Sequence, residues 1–176
     1  MIQLQSELIN LLQLAYSAER AASFAYQGHA AVVKLQEEKE SIYQIELDEW
    51  EHRAEVLKIM QSYNIPISRW YEMKYFIIGK IISMSCYLIG WFMPMYFAGR
   101  LESGNVNEYY RMIDLFHQLN ITKHDAILTE MGLKEKEHEI YFLNKVKQHK
   151  WLPFFEKAFN WGNSKSFNSI NENELK

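Results

Sequence analysis

Apolar residues along this chain recur at alternating steps of three and four, the spacing that places them on one face of an α-helix. Four segments carry such a seam. The first, over 2–36, runs Leu4, Leu8, Leu11, Ala15, Glu19, Ala22, Tyr26, Ala30. The second, over 38–63, runs Ile42, Ile45, Glu49, His52, Val56, Ile59 and is stopped by Asn64-Ile65-Pro66. The third takes up near Met95 with Ala98, Glu102, Asn105, Tyr109, Met112 and Phe116. The fourth, over 123–148, runs His124, Leu128, Met131, Glu135, His138, Phe142, and Thr122 followed by Asp125 predicts a capping box at its start. The pattern predicts an all-α chain built from four long helices.

Each seam is interrupted by a glutamate, and two of them add a histidine three residues on, in Glu49-Trp50-Glu51-His52 and Glu135-Lys136-Glu137-His138. Residues three apart share a helix face, so Glu51 and Glu137 point away and are expected in solvent. A buried carboxylate without a partner costs several kcal/mol or gives up its charge. Four carboxylates against two divalent cations sum to zero, which makes their burial tolerable. Two inward Glu residues plus two Glu-x-x-His pairs form the ligand set of di-iron and di-manganese carboxylate bundles. Glu19, Glu49, His52, Glu102, Glu135 and His138 are therefore the candidate ligands, and the oxygen-rich mix suits iron, or manganese, better than a closed zinc site. In each half of the chain the Glu-x-x-His pair follows an earlier seam Glu at a similar interval, so the chain reads as two helix hairpins of one plan. The bland alternative is four exposed glutamates and two satisfied histidines. His124 reads as a core histidine, while Asp48, Glu108 and Asp125 are candidate partners for the imidazoles.

A long hydrophobic crossover, 70–99, joins helices two and three, as in ferritin-like bundles with one long connection, and Pro94 should break or kink it. Its stretch 81–99 holds no charged residue and is nearly long enough for a bilayer. A single span would put the two hairpins on opposite sides of the membrane and keep the ligands apart. The crossover is therefore expected along the bundle or in a membrane interface. Trp70, Tyr71, Tyr75, Trp91 and Tyr96 would then form an aromatic belt, with Arg69, Lys74 and Lys80 toward anionic headgroups. A core helix or a contact between copies of the chain stays open. Pro153, Phe154, Phe155, Phe159 and Trp161 are expected to cap the bundle or touch a membrane. The polar stretch 162–176 is expected to be a flexible tail on a domain of residues 1–161.

Composition narrows the function. At 176 residues, 48% apolar and 23% charged, the chain fits one globular domain, and its 7 Gly and 3 Pro favour long helices over a turn-rich sheet. A net charge of −3 without a basic run counts against a nucleic-acid partner. The single cysteine, Cys86, excludes an internal disulfide and a Cys-rich zinc or rubredoxin-type site. Neither a flavin nor a nicotinamide fingerprint is visible. The start of the chain lacks the basic opening of a signal peptide, which points to an intracellular place, in the cytoplasm or on the inner face of a membrane.

With these residues the chain resembles the demethoxyubiquinone hydroxylase family, the di-iron hydroxylases of ubiquinone biosynthesis. Glu19-Arg20-Ala21-Ala22-Ser23-Phe24-Ala25-Tyr26-Gln27-Gly28 is similar to that family's first-helix motif, and the two Glu-x-Glu-His stretches are similar to its second and fourth-helix motifs. The likeness covers about 4–142. Three features depart from it: Glu108-Tyr109 stands where the family has a His-Tyr pair, Ser103 follows Glu102 where a second Glu is common, and Trp91, Phe92, Met93, Tyr96 and Phe97 make the crossover bulkier. The resemblance implies a monooxygenase that uses two iron ions, O2 and an external electron donor to hydroxylate an apolar, quinone-like substrate at a membrane surface. Tyr26 and Tyr109 would contact substrate or relay electrons, with a plain core role equally open. The competing readings are a rubrerythrin-like ferroxidase or peroxidase with the same six ligands, a tRNA hydroxylase disfavoured by the acidic balance, and a non-catalytic membrane-interaction bundle.

Overall fold

The computed structural model describes residues 5–162. The seam position Leu4 and nearly all of the expected tail, 163–176, lie outside the described residues. Within them the chain is all-helical: α1 (Ser6–Val32), α2 (Gln36–Ser62), α3 (Arg69–Ser85), α4 (Phe92–His117), α5 (Asp125–Val146) and α6 (Leu152–Phe159). The buried positions of α1, α2, α4 and α5 follow the expected seams, except that Leu12 takes the core place expected of Leu11 and His124 stands just ahead of α5, half-buried.

Cross-helix bonds fix the directions. Pro66, just ahead of α3, accepts from Gln13 near the start of α1, and further along both helices Arg20 pairs with Glu72. Gly79 then meets Ala21, and Gly28 meets Ser83, so α3 runs parallel to α1. In α4 the order reverses: Tyr26 bonds Glu102, Tyr109 bonds Glu19 and Arg111 bonds Glu7. With α1 pointing up, α2 points down, α3 climbs back along the outside, α4 descends and α5 ascends. The closest helix pairs are α1 with α2 and α4 with α5, the two hairpins read from the seams. Two apolar clusters fill the bundle. One lies around Leu12, Met60, Met112 and Phe116, the other around Ile42, Met95, Tyr96 and Phe142.

The helix ends have local causes. Asn160 directly after α6, and Asn64 and Asn120 in the turns that follow Ser62 and His117, take left-handed backbone. After α2 and α4 the next residue, Ile65 or Ile121, closes the end by donating to the carbonyl of Met60 or Phe116 and burying its own side chain. The first hairpin turn comes earlier than expected, because Val33 and Leu35 are extended.

Three expectations are corrected here. Thr122 and Asp125 form no capping box: Thr122 contributes only its backbone carbonyl to Asp125 N–H, and the Asp125 carboxylate is 2.8 Å from His117 Nε2. Pro94 breaks nothing, because it sits in the first turn of α4, where its missing N–H has no helical acceptor to lose. The interruption falls between α3 and α4, at a turn where Gly90 adopts φ +74°. Tyr96 is not part of an exposed belt: it is fully buried and donates to the carbonyls of Trp161 and Phe155, while Trp91 donates to Glu38 at 3.0 Å.

α3 packs closely on α1 because small residues let backbones approach. A Cβ at Gly79 would lie 2.8 Å from Ala21 Cα, and one at Gly28 would fall inside the Ser83 backbone. The outer face of α3 and the turn after it remain apolar and exposed, from Trp70 and Met73 through Ile77 and Ile81 to Met84 and Leu88. No helix among the described residues is long and apolar enough to cross a membrane. At the opposite side of the same bundle end, α6 and Trp161 cap α4 and α5. The Trp161 indole lies on Gly99 and donates to Glu139 at 2.9 Å.

Candidate metal centre

All six sequence-predicted ligands are buried, and they meet in the middle of the bundle. They form two overlapping groups, Glu19–Glu49–His52–Glu135 and Glu49–Glu102–Glu135–His138, each offering ligand atoms within 4.8 Å of one another. Glu49 and Glu135 belong to both groups. A carboxylate has two oxygens and can bridge two cations, whereas an imidazole presents one nitrogen. The two groups overlap at Glu49 and Glu135; Glu19 and His52 complete one, and Glu102 and His138 complete the other, and each could hold a cation. Glu51 and Glu137 point outward into solvent, as expected.

The geometry follows from helix register. In an antiparallel pair, equal spacings on two helices align two contacts at once. Glu and Tyr stand seven residues apart on both α1 and α4, so Tyr26 donates to Glu102 and Tyr109 donates to Glu19. Glu and His stand three apart on both α2 and α5. His52 Nδ1 accordingly lies 2.8 Å from Glu135 Oε1, and His138 Nδ1 lies 3.7 Å from Glu49 Oε1. The two hairpins are thereby related by an approximate two-fold axis through the centre.

Whether these residues fit a metal pair is tested by what the side chains leave unmet. Glu19 Oε2, both oxygens of Glu49, His52 Nδ1, Glu135 Oε1 and His138 Nδ1 are sealed from solvent and have no hydrogen-bond partner. Buried polar atoms without partners cost about 1–3 kcal/mol each, more when charged, so six converging on one point need an explanation. The close approach of His52 Nδ1 to Glu135 Oε1 lacks hydrogen-bond alignment, and about 3 Å is the separation of neighbouring ligands on one cation at about 2.1 Å. The donor set fits two divalent cations.

Without cations, burial biases Glu49, Glu102 and Glu135 toward the protonated form. Burial and then the charges of Glu135, Glu102 and Glu19 push Glu49 well above the usual carboxylate range. Glu102 is raised by burial and by Glu135. Burial pushes Glu135 to about 8. Tyr26 and Tyr109 are also raised, by burial first and then by Glu102 and Glu19 respectively, so each keeps the proton it donates.

The two positions are supported unequally. His138 Nε2 is 2.9 Å from Asp48 Oδ2, which leaves Nδ1 free for a cation. Burial alone would raise Asp48, but the bonds from His138 and Gln44 bring it below its ordinary value. Asn105, one turn after Glu102, donates to Glu102 at 3.0 Å and to Glu135 at 3.4 Å. The two-fold counterpart of Asp48 is Lys134 and that of Asn105 is Ala22, so the Glu19–His52 side has neither support. Asp48→Asn is expected to weaken cation binding at the Glu102–His138 position about 10–100-fold, read by competition with a chelator, while the other position changes little.

The remaining sequence candidates divide. Asp48 does orient an imidazole, whereas Asp125 pairs with His117 instead. Glu108 is raised by burial and then by Glu19, and it bonds no imidazole of the centre. His124 is no ligand, but it is only half-buried: it packs against Tyr63 and Phe116 at the far end of the bundle, with Nε2 3.0 Å from the Tyr63 hydroxyl. Tyr26 and Tyr109 act first as hydrogen-bond donors to ligand carboxylates. Asn105 stood in the α4 seam without an assigned role, and its signal was a polar residue one turn from a seam glutamate.

Beside the centre lies a cavity of about 430 Å³ between α1, the end of α3 and α4, with an almost wholly apolar lining: Ile82, Ile89, Met93, Phe97, Leu101 and the Tyr26 ring among others. Tyr26 is its link to Glu102. No known protein family, curated protein or solved structure matches this chain.

Proposed function

We propose that this chain is a ferritin-like di-iron monooxygenase that hydroxylates an apolar, quinone-like substrate, in the manner of the demethoxyubiquinone hydroxylases it resembles. The observation that carries the reading is the pair of overlapping ligand groups sharing Glu49 and Glu135. Bound there, two ferrous ions would supply electrons to O2, and an external donor would restore them. The chain's own residues do the rest. Tyr26 and Tyr109 hold the terminal carboxylates, Asp48 sets the His138 ring, and Asn105 ties Glu102 to Glu135. The surrounding Met112, Phe142 and Leu128 keep water out.

The cavity favours hydroxylation over peroxide removal or ferroxidation, because neither of those needs an apolar chamber lined by the tyrosine that bonds Glu102. Its walls, Ile82 and Leu101, are exposed next to the apolar face of α3, and Arg69, Lys74 and Lys80 stand along that helix. In this reading a lipid surface delivers the substrate, and the protein lies peripherally on the inner face of a membrane.

The test is anaerobic loading with Fe(II), exposure to 18O2 in anionic vesicles containing a short-chain quinone, and mass spectrometry of the extract. One 18O atom in the product and a visible chromophore on O2 exposure are expected. Rapid H2O2 turnover with no labelled product would transfer the assignment to a rubrerythrin-like peroxidase. No iron uptake would end both.

A further inference from the structure

His29 lies one helical turn beyond Tyr26 on α1 and is only 2% exposed, yet its Nε2 has no hydrogen-bond partner. Burial pulls its pKa down to about 4, so the ring is neutral at ordinary pH. The imidazole plane is fixed by packing: Tyr26 and His29 both stack on Phe142, at 7° and 18° between planes. Its position is distinctive as well. The ring lines the apolar cavity beside Tyr26 and also a second cavity of about 520 Å³ leading past Val32, Leu35 and Trp91. Among the residues lining the first cavity, His29 is the one whose side chain has a sealed and unmet polar atom.

We infer that His29 is a specificity-determining residue, whose Nε2 hydrogen-bonds a carbonyl or hydroxyl oxygen on a flat apolar ligand held in this cavity. A neutral imidazole can present either an N–H or a lone pair, so it serves either oxygen. Tyr26 and His29 are about 4.5 Å apart along the helix axis, close to the width of one aromatic ring. A ring anchored at His29 by its oxygen therefore offers its far edge to Tyr26, on the side of the metal centre. The nitrogen is sealed in this fold, so the ligand meets it once the ring makes a half-turn that keeps its stacking plane; a nitrogen unmet until then costs stability that an apolar side chain of similar size would not. This inference rests on the reading that the cavity takes an apolar substrate.

The test uses two probes of one shape, 2,3-dimethyl-1,4-naphthoquinone and 2,3-dimethylnaphthalene, which differ in the two oxygens. Binding to the metal-loaded full chain is followed by tryptophan quenching. His29→Leu is expected to weaken the quinone about 5–10-fold and leave the hydrocarbon within about twofold, and His29→Gln to recover most of the loss, since its amide also donates. Retained hydrocarbon binding shows that the variant is folded. Unchanged quinone affinity in His29→Leu overturns the inference and leaves the cavity reading intact, as does equal loss of both probes. If neither probe binds the wild type, the cavity holds no apolar ligand and both fall.

Discussion

Glu49→Ala will strip both cations from the protein, whereas Glu19→Ala will remove one. The asymmetry follows from membership: Glu49 belongs to both ligand groups and Glu19 to one. Losing a hydrogen-bond partner of a ligand already lowers affinity about 10–100-fold, so losing a bridging carboxylate should exceed that at both positions. Glu135→Ala should behave as Glu49→Ala does, and Glu102→Ala as Glu19→Ala does. Metal analysis after anaerobic loading and desalting reads the result directly. A Glu49→Ala protein that keeps two ions per chain would show that the carboxylates do not bridge. The variant should fold, because it removes a carboxyl whose two oxygens are buried without partners. In the metal-free state its stability at alkaline pH should exceed that of the wild type.

The candidate ligands were legible because each is a polar interruption of an apolar seam, and a seam has one phase. Glu49 and His52 could not face the core without also facing Glu135 and His138. The tyrosines were half legible. Their seam positions were plain, but their partners depend on the antiparallel register of α1 and α4. Equal spacing in the two helices, seven residues from Glu to Tyr, is the signal that would have given it. The end of α3 was not legible, because 81–99 is apolar on every side and carries no polar phase to mark where a helix stops. Pro94 drew attention as the breaker, while Gly90 made the turn. His29 was invisible for a further reason. What makes it notable is the space around it, and that space depends on how α3 seats on Gly28 and Ala21.

Gly28 shows how a short motif acquires a physical meaning. In the sequence it was one element of a resemblance. In the fold it is the point where α3 crosses α1 closely enough to exclude any side chain. The crossover helix is thereby held beside Tyr26, and the cavity lies between them. The same glycine thus fixes the apolar face of α3 relative to the metal centre, linking surface, chamber and ligand set in one packing contact.

Metal-free protein will lose stability as the pH rises from 6.5 to 8, and metal-loaded protein will not. The sign comes from Glu135, pushed to about 8, and from Glu49 and Glu102, both raised well above the ordinary range. An unfolded glutamate releases its proton near pH 4.3, so at neutral pH the folded chain binds more protons than the unfolded one. Their contribution is complete below that pH and is lost as the pH climbs through the folded values. His29 acts in the opposite sense, but only between about 4 and 6.5, and Asp48 and Glu72, both lowered, act only in acid. His124, also lowered, acts with His29 below 6.5, and Glu108, raised by burial and Glu19, adds in the same sense as the centre, so above 6.5 the three centre carboxyls set the sign. Three groups titrating together should lower the melting temperature on the order of 10 °C for a domain of this size. Cations reverse the dependence, because they bind the deprotonated carboxylates and hold more tightly as protons leave. Thermal melts with a chelator and with Mn(II), at closely spaced pH values, should separate progressively toward pH 8. Parallel curves would mean that the carboxyls are solvated, and the paired-cation centre would go with them.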